Sequence, residues 1–209
     1  FLMTITVLVL IVFFSIRTVF PQHWEQSLRE ALFNITSIIS GTGFASVDYM
    51  AWGPFPVALF FFTGLIGGCA GSTACSIKIF RYQLLFASIR AQLRRIRSPN
   101  GIFTPRYDGR AISGDVMISV MSFFMFFTLT LGLVAVALSM TGLDFVTSVS
   151  GAGAALGNIG PGLGEIIGPA GNFSTLNDTA KWILTAAMLI GRLELMAVYV
   201  ILTFKFWRA

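Results

Sequence analysis

The order of apolar and polar positions divides the chain into long uncharged runs separated by shorter amphipathic stretches. Residues 1–16, 49–77 and 116–143 contain no charged side chain. The second and third runs exceed the roughly 20 residues that a helix needs to cross a bilayer. The first begins abruptly, without an initiator methionine, so we expect the chain to start inside a spanning helix, as a fragment of a longer protein. A cleaved signal peptide fits poorly, because the basic Arg17 follows this run instead of preceding it.

Two amphipathic segments have apolar side chains at helical spacing but are too short to cross a bilayer. They are residues 24–39 and 145–156, and Asp144 is placed to cap the second one. A basic helix is predicted at residues 75–97. The spanning segments predicted around these helices cover residues 1–20, residues from Pro54 onward with interruptions at Gly64, Gly67, Gly68 and Gly71, residues 114–140, and residues 181–206.

A short glycine-containing loop follows each amphipathic segment, at the same offset in both cases. Ser40-Gly41-Thr42-Gly43-Phe44 corresponds to Gly157-Asn158-Ile159-Gly160-Pro161, since 157 − 40 = 117. An acid follows each loop, and Asp48 and Glu165 give the same offset, 165 − 48 = 117. We therefore expect an all-α integral membrane fold, channel-like, with two parallel span–pore-helix–span repeats and re-entrant loops. Its predicted parts are a first repeat with a cytoplasmic helix extension at residues 1–97, a cytoplasmic linker at 98–113 and a second repeat at 114–209.

The two loops have the chemistry of a cation pathway. Irregular backbone at membrane depth survives only where it lines a cavity or is buried in protein. Backbone carbonyls can replace the water around a cation, because they are strong dipoles without net charge. Each short helix directs its partially negative C-terminal end toward its loop, and Asp48 and Glu165 would concentrate cations at the outer mouth. Close helix packing is the alternative explanation for such glycines, and it fits Gly64 and Gly68 equally well, since they form a GxxxG pattern.

Composition and charge support a membrane protein and fix its orientation. The chain is 56% hydrophobic and 11% charged, against about 25% charged in soluble domains. By the positive-inside rule, residues 78–113 and the C-terminus are cytoplasmic. No nucleic-acid partner is expected, because this basic segment lies between two spans. Cys69 and Cys75 lack CxxC spacing and are predicted to be packing residues. The basic residues of the segment are Lys78, Arg81, Arg90, Arg94, Arg95, Arg97, Arg106 and Arg110.

Arg192 lies in the middle of the last predicted span, with Glu194 two positions later. Positions i and i+2 do not share a helix face, so these two charges do not simply neutralise each other. A charge at membrane depth costs roughly 3 kcal/mol or more and normally faces a cavity or a partner. Two interpretations stay open: an arginine beside the ion path that adds a barrier to cations, and a buried structural ion pair with another helix.

Several motifs of the chain are specific enough to compare with a known family. They are Thr42-Gly43-Phe44, Gly67-Gly68-Cys69-Ala70-Gly71-Ser72-Thr73, Asn158-Ile159-Gly160-Pro161-Gly162-Leu163-Gly164-Glu165 and Gly191-Arg192-Leu193-Glu194. Together they resemble the Trk/Ktr/HKT potassium transporter superfamily, and its bacterial TrkH-type subunits in particular. The chain looks like the third and fourth of four repeats, with an N-terminal half missing. The resemblance implies potassium uptake across the cytoplasmic (inner) membrane by a multi-pass protein that is not an enzyme.

The resemblance also implies roles for individual residues. The selectivity filter would use backbone carbonyls of Ser40, Gly41, Thr42, Gly43, Gly157, Asn158, Ile159 and Gly160, with K⁺ bound at Gly41, Thr42, Asn158 and Ile159. The gate would be an intramembrane loop under the filter, the glycine-rich break at Gly67–Ser76, acting together with Arg192. Its predicted gate residues are Gly67, Gly68, Gly71 and Ser72. Family members form homodimers among the membrane lipids and bind a cytosolic nucleotide-binding ring of TrkA or KtrA type. Residues 78–110 offer a basic contact for that ring.

Two departures from the family pattern and two alternative functions accompany this interpretation. Ala74-Cys75 interrupt a loop that is often richer in glycine, and Asn158-Ile159 lacks the threonine of the first loop. A channel or transporter for Na⁺, or for both ions, is one alternative, although Gly41 occupies the position where Na⁺-permissive members carry serine. A non-transporting membrane scaffold is the other. Because two repeats supply only half of a four-sided filter, either the missing half or a second copy must complete it, and we favour the missing half.

Overall fold

The computed structural model describes residues 1–20, 23–69, 71–72, 74–101, 103–193, 195–201, 203 and 206–208, with the backbone alone for Leu195. Helices make up most of this part of the chain. In order they are α1 (Leu2–Val19), α2 (Trp24–Ser40), α3 (Pro54–Leu65), α4 (Ile79–Arg97), α5 (Gly114–Ser139), α6 (Phe145–Gly157), α7 (Asp178–Arg192) and α8 (Leu195–Ile201). Short 3₁₀ turns lie at Tyr49–Trp52, Phe173–Thr175 and Phe206–Arg208.

Among the described residues, α1 and α5 are the helices long and apolar enough to cross a membrane by length and composition. The two predicted short helices are confirmed as α2 and α6, with 17 and 13 residues. The predicted cap of α6 is confirmed as well, because the Asp144 carboxylate accepts a hydrogen bond from the Thr147 amide at 3.1 Å. Hydrogen bonds from the side chain and from the backbone amide of Thr147 hold the pKa of Asp144 below its usual value.

The all-α expectation needs correction in two places. Strand β1 (Ile66–Gly67) pairs in parallel with β2 (Ile77–Lys78). Strand β3 (Arg106–Tyr107) pairs antiparallel with β4 (Arg110–Ala111), which makes a small hairpin within the predicted linker. The first pair needs a residue without a side chain, since a Cβ built on Gly67 would lie 2.7 Å from the Ser76 carbonyl oxygen.

Two of the predicted spans also differ from the structure. The interruption of the span from Pro54 is confirmed, but α3 includes Gly64 and ends at Leu65, and the basic helix begins at Ile79 instead of residue 75. The predicted span over residues 181–206 is not one continuous helix in the described part of the chain. Helix α7 ends at Arg192, Leu193 lies in a turn, and α8 begins two residues later, with Glu194 outside the described residues.

Each repeat has its own hydrophobic core, and the two cores exchange residues. The first is built from α1, α2, α3 and the turn at Tyr49–Trp52, where the Tyr49 and Phe60 rings stack with centroids 4.4 Å apart. It also contains Ile159 and Leu163, which belong to the second repeat. The second core is built from α5, α6 and α7 and contains Ile77 of the first repeat. The cores therefore hold the two glycine loops at the boundary between the repeats.

Candidate functional site

The two short helices end in the same backbone conformation, at positions that differ by 117 residues. Gly41 caps α2 with φ 73° and Asn158 caps α6 with φ 49°, both in the left-handed region, and 158 − 41 = 117. Asparagine is one of the few side chains that adopt this conformation readily. Asn158 can therefore adopt the same left-handed backbone conformation as its counterpart Gly41 in the first loop.

The hydrogen bonds that close the two helices obey the same offset. In the first repeat, the Gly41 amide donates to the Ile38 carbonyl at 3.1 Å and the Thr42 amide to the Ser37 carbonyl at 3.0 Å. In the second repeat, the Asn158 amide donates to the Ala155 carbonyl at 3.1 Å and the Ile159 amide to the Ala154 carbonyl at 3.0 Å. The repeat seen in the sequence is therefore also a repeat of backbone hydrogen bonding.

The loops contact each other through their backbones. A second left-handed position follows in each, at Gly43 with φ 72° and Gly160 with φ 112°. A Cβ built on Gly160 would lie 3.6 Å from the Gly43 Cα, and one on Gly41 would lie 3.8 Å from the Asn158 carbonyl oxygen. A Cβ on Gly43 would overlap the Ile159 carbonyl oxygen. Glycine at position 43 is thus required both by its backbone angle and by the neighbouring loop.

Each loop is tied back to its helix by a buried polar side chain that the sequence interpretation missed. Asn34 of α2 is fully buried, and its carboxamide accepts from the Ser46 amide at 3.1 Å and donates to the Ser46 hydroxyl at 2.8 Å. Ser150 of α6 is also buried; its hydroxyl accepts from the Leu163 amide at 2.9 Å and donates to the Leu163 carbonyl at 3.0 Å. The tied residues again differ by 163 − 46 = 117. The only sequence signal was a polar residue on the buried face of each short helix.

The predicted gate segment lies directly against the second loop. The Ser76 hydroxyl donates to the Gly64 carbonyl at 2.6 Å, and a Cβ on Gly157 would lie 2.7 Å from the same hydroxyl oxygen. A Cβ on Gly64 would lie 2.8 Å from the Ile159 Cδ1.

Within the gate segment, a tight turn is closed by Ser72, whose amide and hydroxyl donate to the Cys69 carbonyl at 3.0 and 2.8 Å. A Cβ on Gly68 would lie 2.6 Å from the Ser72 hydroxyl oxygen, whereas one on Gly71 meets open space. Of this segment, Ala70 and Thr73 lie outside the described residues.

The structure brings Arg192 to the same place. Its guanidinium Nη1 donates to the Cys75 Sγ at 3.3 Å. The preceding residue, Gly191, packs on the end of α6, since a Cβ there would overlap the Leu156 carbonyl oxygen. A cavity of about 230 Å³ lies at this point, and its lining includes Ser72, Cys75, Ser76, Leu156 and Arg192. Of the residues predicted to form a gate, Ser72 and Arg192 therefore line one cavity, although they are distant in sequence.

The two predicted outer acids are both exposed, but only one has a described structural role. The Asp48 carboxylate accepts from the Met50 amide at 3.0 Å and so caps the 3₁₀ turn that follows. Glu165 lies on the exposed stretch after the second loop. Neither position was assigned a capping role from the sequence.

Comparison with known proteins gives consistent matches. The family model TrkH, described as a cation transport protein, matches residues 2–207. The potassium uptake protein TrkI of Halomonas elongata is 48% identical over 182 residues, which cover 87% of this chain and 37% of TrkI. The potassium uptake protein TrkH of Escherichia coli is 35% identical over the same share of each chain. The crystal structure of the potassium transporter TrkH from Vibrio parahaemolyticus superimposes with a TM-score of 0.89 at 34% identity, covering 97% of this chain and 43% of that one.

These matches leave a large part of the relatives unmatched. The chain spans 37% of the length of TrkI of Halomonas elongata and of TrkH of Escherichia coli.

Proposed function

The chain belongs to the TrkH family of cation transport proteins, a family of transporters and not of enzymes, and from this premise we propose that it forms two sides of a potassium pathway through the cytoplasmic membrane. Potassium is the ion named for the matched relatives. The pathway runs between the loops that follow α2 and α6. Their backbone carbonyls replace the hydration shell of K⁺, at residues 40–43 and 157–160, with K⁺ bound at Gly41, Thr42, Asn158 and Ile159.

One observation carries this proposal. Two loops, 117 residues apart in the chain, share the same left-handed positions and the same helix-closing hydrogen bonds, and their backbones are in contact. Close helix packing does not require an irregular backbone, and it does not require that irregularity to be repeated. A cation pathway does require an irregular backbone in each repeat, because irregular backbone at membrane depth is tolerated where it lines a cavity. Two equivalent loops present carbonyl dipoles to one ion from two directions.

The gate is proposed at the segment below the second loop. This segment contains Gly67, Gly68, Gly71 and Ser72. It continues to Cys75, whose sulfur accepts a hydrogen bond from Arg192. An arginine there opposes the passage of a cation by charge, and removing it lowers the barrier. The exposed acids Asp48 and Glu165 raise the cation concentration at the outer mouth.

The remaining partners follow from family membership and are proposals too. Two further repeats complete the four-sided filter, in preference to a second copy of this chain. The complete protein is a homodimer embedded in membrane lipid, and its cytosolic face binds a nucleotide-binding ring of TrkA or KtrA type. Residues 78–113 and the C-terminus face the cytosol, as their positive charge favours.

Potassium uptake in a bacterial strain that lacks its own potassium uptake systems tests this function. The polypeptide that carries this chain is expressed unchanged, with Gly160→Ser and with Arg192→Ala. We expect rescue at low K⁺, reduced preference for K⁺ over Na⁺ with Gly160→Ser, and faster uptake with Arg192→Ala. Gly132→Ala is the matched control, because a Cβ there meets no atom within 4 Å and should leave uptake unchanged.

Two results would contradict the proposal. Equal uptake of Na⁺ and K⁺ by the unchanged protein would replace it with a mixed cation pathway. Well-expressed protein that gives no rescue, even with its cytosolic ring present, would favour the membrane scaffold.

A further inference from the structure

The second half of α4 has a surface that the ion pathway does not explain. Four large apolar side chains are exposed along it: Phe86 by 58%, Ile89 by 43%, Leu93 by 60% and Ile96 by 71%. Their spacing of three, four and three residues places them in one stripe on one face of the helix. From Gln92 to the end of α4, every residue is exposed. An apolar stripe on a helix that no described residue covers marks an interaction surface.

A basic groove adjoins this stripe. One wall of the groove is formed by Ala87, Arg90, Ala91 and Arg94 of α4. The other is formed by residues 103–105 and by Arg106 at the start of β3, around a cavity of about 450 Å³. The groove has three arginines and no acid among its lining residues. Arg90 and Arg94 are four residues apart on one helix face, where like charges repel each other. An anion in the groove would relieve that repulsion.

The groove lies level with the N-terminal end of α5. Tyr82 of α4 packs edge-on against Phe124 of α5, with ring centroids 5.2 Å apart. From Phe124 back to the start of α5 at Gly114 is about 15 Å along the helix, and from Tyr82 forward to Arg90 is about 12 Å. The hairpin itself ends three residues before α5 begins. Arg90, Arg94 and Arg106 therefore lie near the N-terminal end of α5, which the positive charge of the segment predicts to be cytoplasmic.

We propose that this surface binds the cytoplasmic leaflet: the apolar stripe of α4 enters the acyl boundary, and the arginines of the groove bind the phosphates of anionic lipid headgroups. An amphipathic helix with arginine on its polar face and Phe, Leu or Ile on the other has the composition of an interfacial helix. Basic pockets on the cytoplasmic side of spanning helices recognise anionic headgroups. The proposal requires that α5 spans the membrane and that residues 78–113 face the cytosol, as proposed above, and it does not depend on which ion the loops conduct.

An acidic surface of a cytosolic protein is the other occupant that the charge alone would allow. The apolar stripe argues for lipid, because its exposed side chains lie on the same helix as the groove arginines Arg90 and Arg94.

The test measures how many phosphatidylglycerol molecules the purified, detergent-solubilised protein retains, and how tightly, by native mass spectrometry, with phosphatidylcholine as the neutral lipid. The test variant is Arg90→Gln/Arg94→Gln/Arg106→Gln. The matched control is Arg95→Gln/Arg97→Gln/Arg110→Gln, which removes the same charge from the same segment but leaves the groove lining intact. We expect about a hundredfold weaker phosphatidylglycerol binding for the test variant, from about fivefold per arginine. We expect a change of less than about fivefold for the control.

Each result decides the question. Equal weakening in both triple variants would overturn the site, because it would show diffuse charge attraction alone. Unchanged lipid binding in the test variant, with lost binding of the purified cytosolic ring, would overturn it in favour of a protein partner. If the triple variant does not fold, Arg106→Gln alone decides, because it alters the hairpin arm and leaves α4 unchanged. A loss of about fivefold in its phosphatidylglycerol binding supports the proposal, and no loss overturns it.

Discussion

Replacing Gly43 by alanine separates two reasons why a loop requires glycine. At Gly41 and Gly43 the backbone is left-handed, with φ 73° and 72°, so any Cβ is strained. At Gly43 the Cβ would in addition overlap the Ile159 carbonyl oxygen, whereas at Gly41 the nearest atom is 3.8 Å away. Gly132, in the middle of α5, has neither constraint. Alanine therefore meets no constraint at position 132, one at position 41 and two at position 43, so the three substitutions should be increasingly destabilising in that order.

The expected magnitudes follow from these contacts. The left-handed conformation costs an alanine about 1–2 kcal/mol, so Gly41→Ala should destabilise the protein by that amount. Gly43→Ala adds the displacement of a backbone carbonyl, for about 2–5 kcal/mol in total, because overpacking costs about 1–3 kcal/mol. Gly132→Ala should be neutral or stabilising by up to about 1 kcal/mol, because alanine is favoured over glycine inside a helix.

The assay combines thermal unfolding of the protein in lipid nanodiscs with K⁺ flux into liposomes at matched protein amounts. We expect the unfolding midpoint to fall in the order Gly132→Ala, Gly41→Ala, Gly43→Ala, and K⁺ flux to be lost most completely in the last. Equal unfolding midpoints and equal flux for Gly41→Ala and Gly43→Ala would refute a role of the contact between the two loops in stability and K⁺ flux.

Three further predictions concern the surroundings of the loops. Asn34→Ala removes the hydrogen-bond partner of the exposed Ser46, and Ser150→Ala removes that of the buried Leu163 backbone. Each should lower the K⁺ over Na⁺ flux ratio, and Ser150→Ala should in addition cost about 1–3 kcal/mol, because it leaves buried polar atoms without a partner. A flux ratio unchanged in both variants would exclude a positioning role. Arg192→Ala and Cys75→Ala should both raise K⁺ influx, and in the double variant the effects should be less than additive, since the two side chains share a hydrogen bond. Fully additive effects would show that Arg192 and the loop that contains Cys75 act independently. Asp144→Ala should destabilise by about 1 kcal/mol at neutral pH. Because the pKa of Asp144 is lowered in the folded state, this difference should vanish as the pH falls through that pKa, and unfolding midpoints measured against pH would show whether it does.

The parts of the structure that depend on local pattern could be predicted from the sequence. The bounds of α2 and α6 follow from apolar spacing and from the residues that cap them, and the structure places them within one residue of the prediction. The loops were located by their repeat, and their backbone contact agrees with a shared role. That role itself stays a prediction, as does the barrier assigned to Arg192.

The parts that depend on contacts between distant residues could not be predicted. The strand pair β1–β2 requires Gly67 to meet Ser76, which hydropathy does not report. The end of α7 at Arg192 divides the segment at residues 181–206, which its length and hydropathy predict as one span in spite of Arg192 and Glu194. The roles of Asn34 and Ser150 were missed for the same reason, because a hydrogen bond to a residue that comes 12 or 13 positions later in the chain leaves no periodic signal.

The exchange of residues between the two cores has a consequence for biogenesis. Ile159 and Leu163 complete a core whose other members all precede Pro99 in the chain. During synthesis, the first repeat therefore leaves the ribosome and enters the membrane before the side chains that close its core have been made. It must wait in a loosened form while α5 and α6 are inserted, and the chain acquires its final packing only when the second loop reaches its place. Quality-control proteases of the membrane would encounter this protein mainly during that interval, so variants that delay insertion of α5 should lower its abundance more than its activity per molecule.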